Sequence, residues 1–212
     1  GFPHDDVKSY ADFYEETVKL FDDKTTELFD ISNEPDSVRN LYGNYRFARG
    51  LLLARRLVQN NVRYVEVQLG GWDGQHGNPG VAASRTNAMD GPVAALLQDL
   101  ESHGLLKETM VVLTTEFGRT PKINPNGGRD HWPRVFSVMM AGGGVKKGLV
   151  HGSSDALGGE PEEDRVGVED LATTVYHQLG ITADKELMAP GDRPIEIVDG
   201  GRVLDEILEK KA

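Results

Sequence analysis

Apolar positions recur along the chain with two different periods, and the two periods predict different elements. Spacing of three to four residues is typical of an amphipathic helix, whereas alternation or short apolar β-branched runs are typical of strands. The helical period predicts helices over 5–29, 37–60, 84–103 and 168–179, with a short one near 202–210. The strand pattern predicts strands over 62–69, 109–114 and 135–140, with a short edge strand over 148–152.

The order of these elements predicts the fold class. Strands alternate with helices at βαβ spacing, which favours a mostly parallel sheet covered by helices on both faces. We see no repeat and no linker, so residues 1–212 are expected to form a single domain. Its parts are helical over 1–60, a core carrying the candidate site over 61–181, and a tail over 182–212. Because no strand is predicted before residue 62, we expect this to be the carboxy-terminal part of a longer fold.

Charge and residue usage exclude several functional classes. The chain carries 34 acidic against 23 basic residues, a formal net charge of -11, which disfavours nonspecific binding to nucleic acid or anionic lipid. It has no cysteine, so disulfides, thiolate metal sites and cysteine nucleophiles are ruled out. No apolar run is long enough to predict a membrane span. The oligomeric state is left open by these features.

Polar residues that can bind a metal follow the predicted strand 62–69. Asp73 and His76 lie in a glycine-rich segment directly after Trp72. Carboxylate and imidazole groups suit zinc, manganese or iron, and the glycines allow tight turns that can aim both side chains inward. The alternative is a solvated turn in which Asp73 accepts backbone N–H groups.

A second polar group follows the predicted strand 109–114. Glu116 can bind a metal or act as a general base, and Arg119 can clamp a phosphate or sulfate with two parallel hydrogen bonds. Asn124 lies in the same polar loop and can bond a substrate, although turn residues have the same character. The alternative for Glu116 and Arg119 is an ion pair that only orders the loop.

A third group, Asp130 and His131, lies in the loop that leads to the predicted strand 135–140. The preceding Gly127 and Gly128 give the backbone freedom to bring both side chains to one metal, and Arg129 adds positive charge beside them. The alternative is an Asp130 that only orients the imidazole, with a tryptophan packed below. Since ligands bind at the carboxyl ends of strands in α/β proteins, we expect the groups to share one edge of the sheet.

These motifs together resemble a known family. The runs that carry the resemblance lie between residues 27 and 181 and include Gly70-Gly71-Trp72-Asp73 with His76, Glu116-Phe117-Gly118-Arg119-Thr120-Pro121 with Asn124, Gly128-Arg129-Asp130-His131-Trp132, Ala141-Gly142-Gly143-Gly144, and His151-Gly152 with Asp155. They are similar to an uncharacterised sulfatase-like family of bacterial exported proteins, a domain of unknown function in the alkaline phosphatase superfamily. The resemblance implies a three-layer αβα sandwich with a metal site at the strand ends. It also implies an exported protein, whereas the chain itself leaves the compartment open.

The resemblance and the residues lead to one expected function and two alternatives. We expect a metal-dependent hydrolase-like domain that acts on a sulfate or phosphate ester, with zinc, manganese or calcium bound. The predicted catalytic residues are Glu116 and Arg119, the predicted substrate-binding residues are Arg119, Asn124 and Arg129, and the predicted metal ligands are Asp73, His76, Glu116, Asp130 and His131. We identify no nucleophile. The first alternative is therefore a non-catalytic module that binds an anionic glycan or a protein partner in the same cleft, and the second is a scaffold of polar loops.

Overall fold

The computed structural model describes residues 23–74 and 80–210, with the backbone alone described over 23–25. The helices of these residues are α1 (Asp23–Phe29), α2 (Asp36–Tyr42), α3 (Arg46–Gln59), α4 (Gly80–Ser102) and α5 (Val168–Gln178), with 3-10 turns at Ile31–Asn33 and Asp205–Ile207. The strands are β1 (Val111–Leu113), β2 (Gly118–Arg119), β3 (His131–Trp132), β4 (Met139–Ala141), β5 (Ser153–Ser154), β6 (Pro161–Glu163), β7 (Glu186–Ala189) and β8 (Arg193–Glu196).

Contacts divide the chain into two compact units, the first formed by Gly1–Gly71 with Ser84–Ser102. Its described core comes from one face of α3, where Ala48 and Leu52 are buried, and from Ala95 and Leu100 of α4. This spacing of buried residues is the helical period that the sequence shows.

A buried polar network joins three helices of this first unit. Asp99 of α4 accepts hydrogen bonds from Tyr42 Oη of α2 and from Arg55 Nε of α3, both at 2.8 Å. Glu34, after the first 3-10 turn, accepts from Arg55 Nη2 at 2.6 Å and from Arg56 Nη1 at 2.7 Å. Burial raises the pKa of the Glu34 carboxyl, but the hydrogen bonds and positive charges of Arg55 and Arg56 together outweigh burial, so the pKa lies below its ordinary value. The network therefore holds paired charges away from water.

The second unit comprises Trp72–Ala83 with His103–Ala212. Its described strands form four two-stranded antiparallel sheets, in which β1 pairs with β4, β2 with β3, β5 with β6 and β7 with β8. One apolar cluster contains Val145, Leu204, Ile207 and Leu208, against which Met110 and Met140 of the β1–β4 region pack. Ile207 of the carboxy-terminal 3-10 turn and the two residues that flank the turn thus supply most of this cluster.

The predicted three-layer αβα sandwich with a mostly parallel sheet is wrong. Among the described residues only short antiparallel two-stranded sheets occur, alongside five helices. A parallel pair needs a crossover, usually a helix, between its strands. Here β1 to β4 follow one another without an intervening helix, and residues 62–69, the predicted strand before α4, form no strand. Because residues 62–69 form no strand, α4 does not connect two parallel strands.

More of the predicted helices than of the predicted strands are confirmed; among the strands, 109–114 contains β1 and 135–140 overlaps only the start of β4. The predicted helices over 168–179 and 84–103 are confirmed as α5 and α4, and the predicted helix over 37–60 divides into α2 and α3. The division falls at Gly43, whose φ of 100° is readily adopted only by glycine. The edge strand predicted over 148–152 is wrong, because the short strand there is Ser153–Ser154. Residues 5–22 of the first predicted helix lie outside the described residues.

Two broader predictions concern membranes and domains. Across residues 23–74 and 80–210, no helix combines the length and the apolar character that crossing a bilayer requires. The prediction of a single domain, with its helical, site-bearing and tail parts, stays a prediction.

Candidate functional site

The β2–β3 hairpin is the frame of the candidate site. Gly118 pairs with Trp132 and Arg119 with His131, so two of the motifs singled out in the sequence lie side by side. The loop between them closes where Thr120 N donates to the carbonyl of Asp130 at 2.9 Å and Asp130 N donates to Thr120 Oγ1 at 3.1 Å. The hydroxyl and backbone groups of Thr120 thereby extend the ladder by one step.

Gly118 allows the close approach on which this hairpin depends. A Cβ atom placed there lies 1.9 Å from the carbonyl oxygen of Val135 and 3.1 Å from that of Trp132. Both obstacles are backbone atoms, which cannot rotate out of the way as a flexible side chain can. Any side chain at this position therefore displaces the segment that follows β3.

Arg119 connects three segments of the site. Its Nη1 donates to the carbonyl of Arg129 at 3.1 Å, and its Nη2 donates to the carbonyl of Trp72 at 3.2 Å. The same guanidinium lies 3.5 Å from the Asp73 carboxylate and 5.8 Å from the centre of the Phe117 ring. The planar fork of arginine suits several acceptors at once. Its side chain is 26% exposed, so a face remains open to a ligand.

Asp73 and His131 form an exposed pair of potential metal ligands. Asp73 Oδ1 lies 4.0 Å from His131 Nε2, and the two side chains are 73% and 45% exposed. The His131 ring stacks on Phe117 with centroids 4.1 Å apart and an interplanar angle of 32°. The aromatic contact therefore restricts the imidazole, while its Nε2 faces the carboxylate.

Asp130 belongs to a different part of the site from its neighbour His131. Asp130 Oδ1 accepts a hydrogen bond from Asn124 Nδ2 at 2.9 Å, and Asn124 Oδ1 accepts from the backbone N–H of Asn126 and Gly128. Because successive side chains in extended chain point to opposite faces, one residue reaches Asn124 and the next reaches Asp73. The structure thus separates two residues that the sequence predicts as joint ligands.

The 120–130 loop also holds a shallow cleft of about 450 Å³. Its lining includes Lys122, Asn124 and Asp130. Arg129 lies at the back of the loop, where its Nη1 donates to the carbonyl of Thr120 at 2.7 Å and to that of Pro121. These hydrogen bonds commit one Arg129 nitrogen to the loop itself. A second cleft, of about 560 Å³, lies elsewhere in the unit, between α5 and the segment around residues 196–203.

Trp132 links the hairpin to a further loop. Its Nε1 donates to the carbonyl of Gly159 at 2.7 Å, and Arg134 pairs with Glu160. In that loop the backbone N–H groups of Gly159, Leu157 and Glu160 bond the carboxylate of Asp155 and hold its pKa below the ordinary value. Asp155 therefore orders this loop.

Glu116 makes no polar contact with this cluster among the described residues. Glu116 is exposed, and no hydrogen bond or ion pair of its side chain occurs among the described residues. The ion pair considered between Glu116 and Arg119 is replaced by one between Arg119 and Asp73. His76 lies outside the described residues, and within them no three His, Asp or Glu side chains converge as a metal site needs.

Sequence reasoning missed three contributors to the site. They are the carbonyl group of Trp72, the stacking ring of Phe117 and the hydroxyl of Thr120. A sequence does not indicate which backbone carbonyl will accept a side-chain hydrogen bond, so the role of Trp72 could not be predicted. A weak signal exists for Thr120, since hydroxyl residues beside a turn often bond backbone N–H groups.

The chain matches the family model described as "Protein of unknown function (DUF1501)" over residues 2–208. It therefore belongs to that family. No curated protein and no solved structure matches it.

The family match corrects the resemblance that the motifs suggested. The DUF1501 match covers nearly the whole chain, and nothing links it to the sulfatases or to the alkaline phosphatase superfamily. The antiparallel two-stranded sheets agree with this correction, because that resemblance implied a covered parallel sheet.

Proposed function

We propose that this DUF1501-family chain is a metal-dependent hydrolase that acts on a small phosphate or sulfate ester, with Asp73 and His131 as two ligands of a divalent cation. The observation that carries the proposal is the 4.0 Å between Asp73 Oδ1 and His131 Nε2. Two ligands of one zinc ion, each about 2.0–2.2 Å from the metal, lie roughly 3–3.5 Å apart. Rotation of the exposed Asp73 carboxylate closes the remaining gap, while the Phe117 contact holds the imidazole of His131 in place.

The fit of the pair to a cation is chemical as well as geometric. A neutral imidazole and a carboxylate suit zinc or manganese, and the carboxylate also suits calcium. Since two ligands are too few for tight binding, the proposal needs a third group. Glu116 and His76 are the candidates from the sequence, and water can complete the set. A bound divalent cation would supply a polarised ester oxygen and an activated water.

The chain's own residues are proposed to bind and orient the ester. Arg119 lies 3.5 Å from the metal-ligand candidate Asp73, so a phosphate or sulfate held there meets a guanidinium as well as the cation. Asn124 and Lys122 line the adjoining cleft and can contact the rest of a small substrate. Arg129 supports this indirectly, by holding the carbonyls of Thr120 and Pro121.

A second candidate function is binding of an anionic glycan or a protein partner without turnover. The observation that favours it is that no three candidate ligands converge within the described residues. In that case Arg119 and Lys122 provide the attraction for sulfate or carboxylate groups, and Asp73 serves to orient Arg119. In the leading proposal, metal binding and catalysis both depend on Asp73 and His131. In the second, there is neither metal binding nor catalysis at these residues.

Metal titration with point variants tests the leading proposal. Zinc, manganese and calcium are each titrated into the metal-stripped chain by calorimetry, and the bound metal is counted by elemental mass spectrometry. Asp73→Asn and His131→Gln are expected to abolish binding of the preferred ion, whereas Asp192→Asn, at the exposed turn after β7, is the matched control. The variant Asp130→Asn tests the other half of the site. It is expected to keep metal binding, because the Asp130 carboxylate bonds Asn124 and not the proposed cation.

Turnover distinguishes the two candidate functions. A chromogenic aryl phosphate and an aryl sulfate are offered to the metal-loaded chain and to each variant. Hydrolysis that disappears in Asp73→Asn and His131→Gln supports the enzyme. Binding of a sulfated glycan that needs Arg119, with no metal and no hydrolysis, supports the binding module instead.

A further inference from the structure

The β7–β8 hairpin exposes apolar side chains that no described part of the chain covers. Leu187 is 53% exposed, Met188 71% and Ile195 45%. Every residue of β8 is exposed, and in β7 only Ala189 is partly buried. A two-stranded hairpin alone is at best marginally stable in water, and further strands add stability. The hairpin therefore has both the apolar surface and the energetic reason to accept another strand.

The register of the hairpin places two like charges directly opposite each other. Glu186 pairs with Glu196, while Leu187 pairs with Ile195 on the other face. Like charges opposite each other in a sheet are destabilising. Within the described residues neither carboxylate has an ion-pair partner, so a cation placed between them relieves the repulsion. A positively charged group is therefore favoured at this end of the hairpin.

The hydrogen-bond alternation shows which edge of the hairpin is open. Ile197 N donates to the carbonyl of Lys185 at 3.2 Å, so Lys185 and Ile197 form a hydrogen-bonded pair. Antiparallel pairs alternate, and the register therefore turns the N–H and C=O groups of Glu186 and Met188 outward. Across from Met188 stands Pro194, which has no N–H to offer on the outer edge of β8. The open edge is thus that of β7.

We propose that the outer edge of β7 docks an extended, cationic segment of a partner protein, which adds to the hairpin as a third strand. Main-chain hydrogen bonds to Glu186 and Met188 provide affinity, and alternate side chains provide selectivity, as in other cases of strand addition. On one face a lysine or arginine of the segment lies beside Glu186 and Glu196. On the other face an apolar residue lies beside Leu187. This interaction is separate from the loop site around Arg119.

Charge argues against a second copy of the chain as the occupant. A twofold pairing of β7 with itself, with Leu187 opposite Leu187, sets Glu186 opposite Met188 of the other copy and brings no cation to either carboxylate. The chain also carries a formal charge of -11, so two copies repel each other. A basic segment, by contrast, is attracted by the net charge and by the glutamate pair.

Binding of a synthetic peptide tests the proposal with the full chain. The probe is an end-capped peptide of alternating lysine and valine, and the comparison peptide alternates glutamate and valine. The Lys–Val peptide is expected to bind and the Glu–Val peptide to fail. Replacing both glutamates (E186Q with E196Q) is expected to weaken binding roughly fivefold to tenfold. The control pair E108Q with E162Q removes the same charge elsewhere and is expected to change affinity by less than about twofold.

The edge itself is tested by Met188→Pro, which removes an outward N–H and leaves the inward ladder to β8 intact. This variant is expected to lose peptide binding, and in the wild type the amide protons of Glu186 and Met188 are expected to gain protection from exchange when peptide binds. If Met188→Pro does not fold, the amide protection in the wild type decides. Peptide bound without protection at these amides overturns the proposal, as does self-association in sedimentation that Met188→Pro abolishes.

Discussion

The guanidinium of Arg119 donates a hydrogen bond at 3.2 Å to the backbone carbonyl of Trp72, and this contact joins the β2–β3 hairpin to the segment that carries Asp73. A second hydrogen bond, at 3.1 Å, reaches the carbonyl of Arg129. One side chain therefore sets the distance between the loops on which the candidate site is built. Arg119 therefore holds these loops in position whether or not it also binds an anion.

Replacing Arg119 with lysine is expected to loosen these loops. A lysine ammonium cannot reproduce the two planar hydrogen bonds, and two carbonyls lose a donor. We expect the free energy of unfolding to fall by about 1–3 kcal/mol. Chemical denaturation measures this, with Arg134→Lys as the control, since Arg134 pairs with Glu160 at an exposed position and is expected to cost less than about 1 kcal/mol. Equal stability of wild type and Arg119→Lys contradicts the assigned role.

Gly118→Ala is expected to destabilise the second unit through a steric clash. The added Cβ lies 1.9 Å from the carbonyl oxygen of Val135, so the backbone after β3 must move. We expect a loss of about 1–3 kcal/mol in thermal or chemical unfolding, as for overpacking elsewhere. Gly70→Ala is the matched control, because a Cβ there meets nothing within 4 Å. A Gly118→Ala protein as stable as Gly70→Ala rules out the close approach.

Asp99 is expected to be the most sensitive position of the buried network in the first unit. Asp99→Ala removes a partner of Arg55, which is 3% exposed, and leaves a buried charge incompletely paired. Loss of one partner of a buried pair costs about 3–5 kcal/mol. Tyr42→Phe deletes only one hydrogen bond to Asp99 and is expected to cost about 1–2 kcal/mol. Denaturant midpoints in the opposite order show that the carboxylate is not the centre of the network.

Lowering the pH is expected to destabilise the start of α5, because the Asp170 carboxylate there becomes protonated. Backbone N–H groups of Gly167 and Arg202 bond its carboxylate and hold its pKa below the ordinary value. A depressed pKa in the folded state adds stability above the unfolded-state value and loses it as pH falls through the folded value. The melting temperature of the wild type should therefore fall below about pH 4.

Asp170→Asn is expected to be less stable than wild type at neutral pH and to show a smaller decrease in acid. Glu169→Gln, at the neighbouring exposed position, serves as the control and should follow the wild-type pH profile. Glu206 contributes in the same direction, since the hydrogen bond from Arg202 lowers its pKa to about 2. An Asp170→Asn profile parallel to wild type across the acid range contradicts the prediction.

Local pattern determined much of the helical structure and the choice of candidate residues. The period of α5 predicts a helix over 168–179, and the structure has Val168–Gln178, because helix hydrogen bonds join residues close in sequence. Likewise, glycine-rich polar segments identified Asp73, Arg119 and His131 as candidates, and the structure gathers these three. The residue types and their segments are therefore enough to predict these three candidate residues.

Tertiary structure decided the pairing of strands and the direction of side chains. A strand pattern in the sequence does not determine which strand will be its partner. The sequence predicted a covered parallel sheet, whereas in the structure β1 pairs antiparallel with β4. Asp130 and His131 are adjacent in sequence, yet one bonds Asn124 and the other faces Asp73. Both outcomes depend on segments distant in the chain. Periodicity reports which residues are apolar, whereas only the folded backbone determines what each polar atom meets.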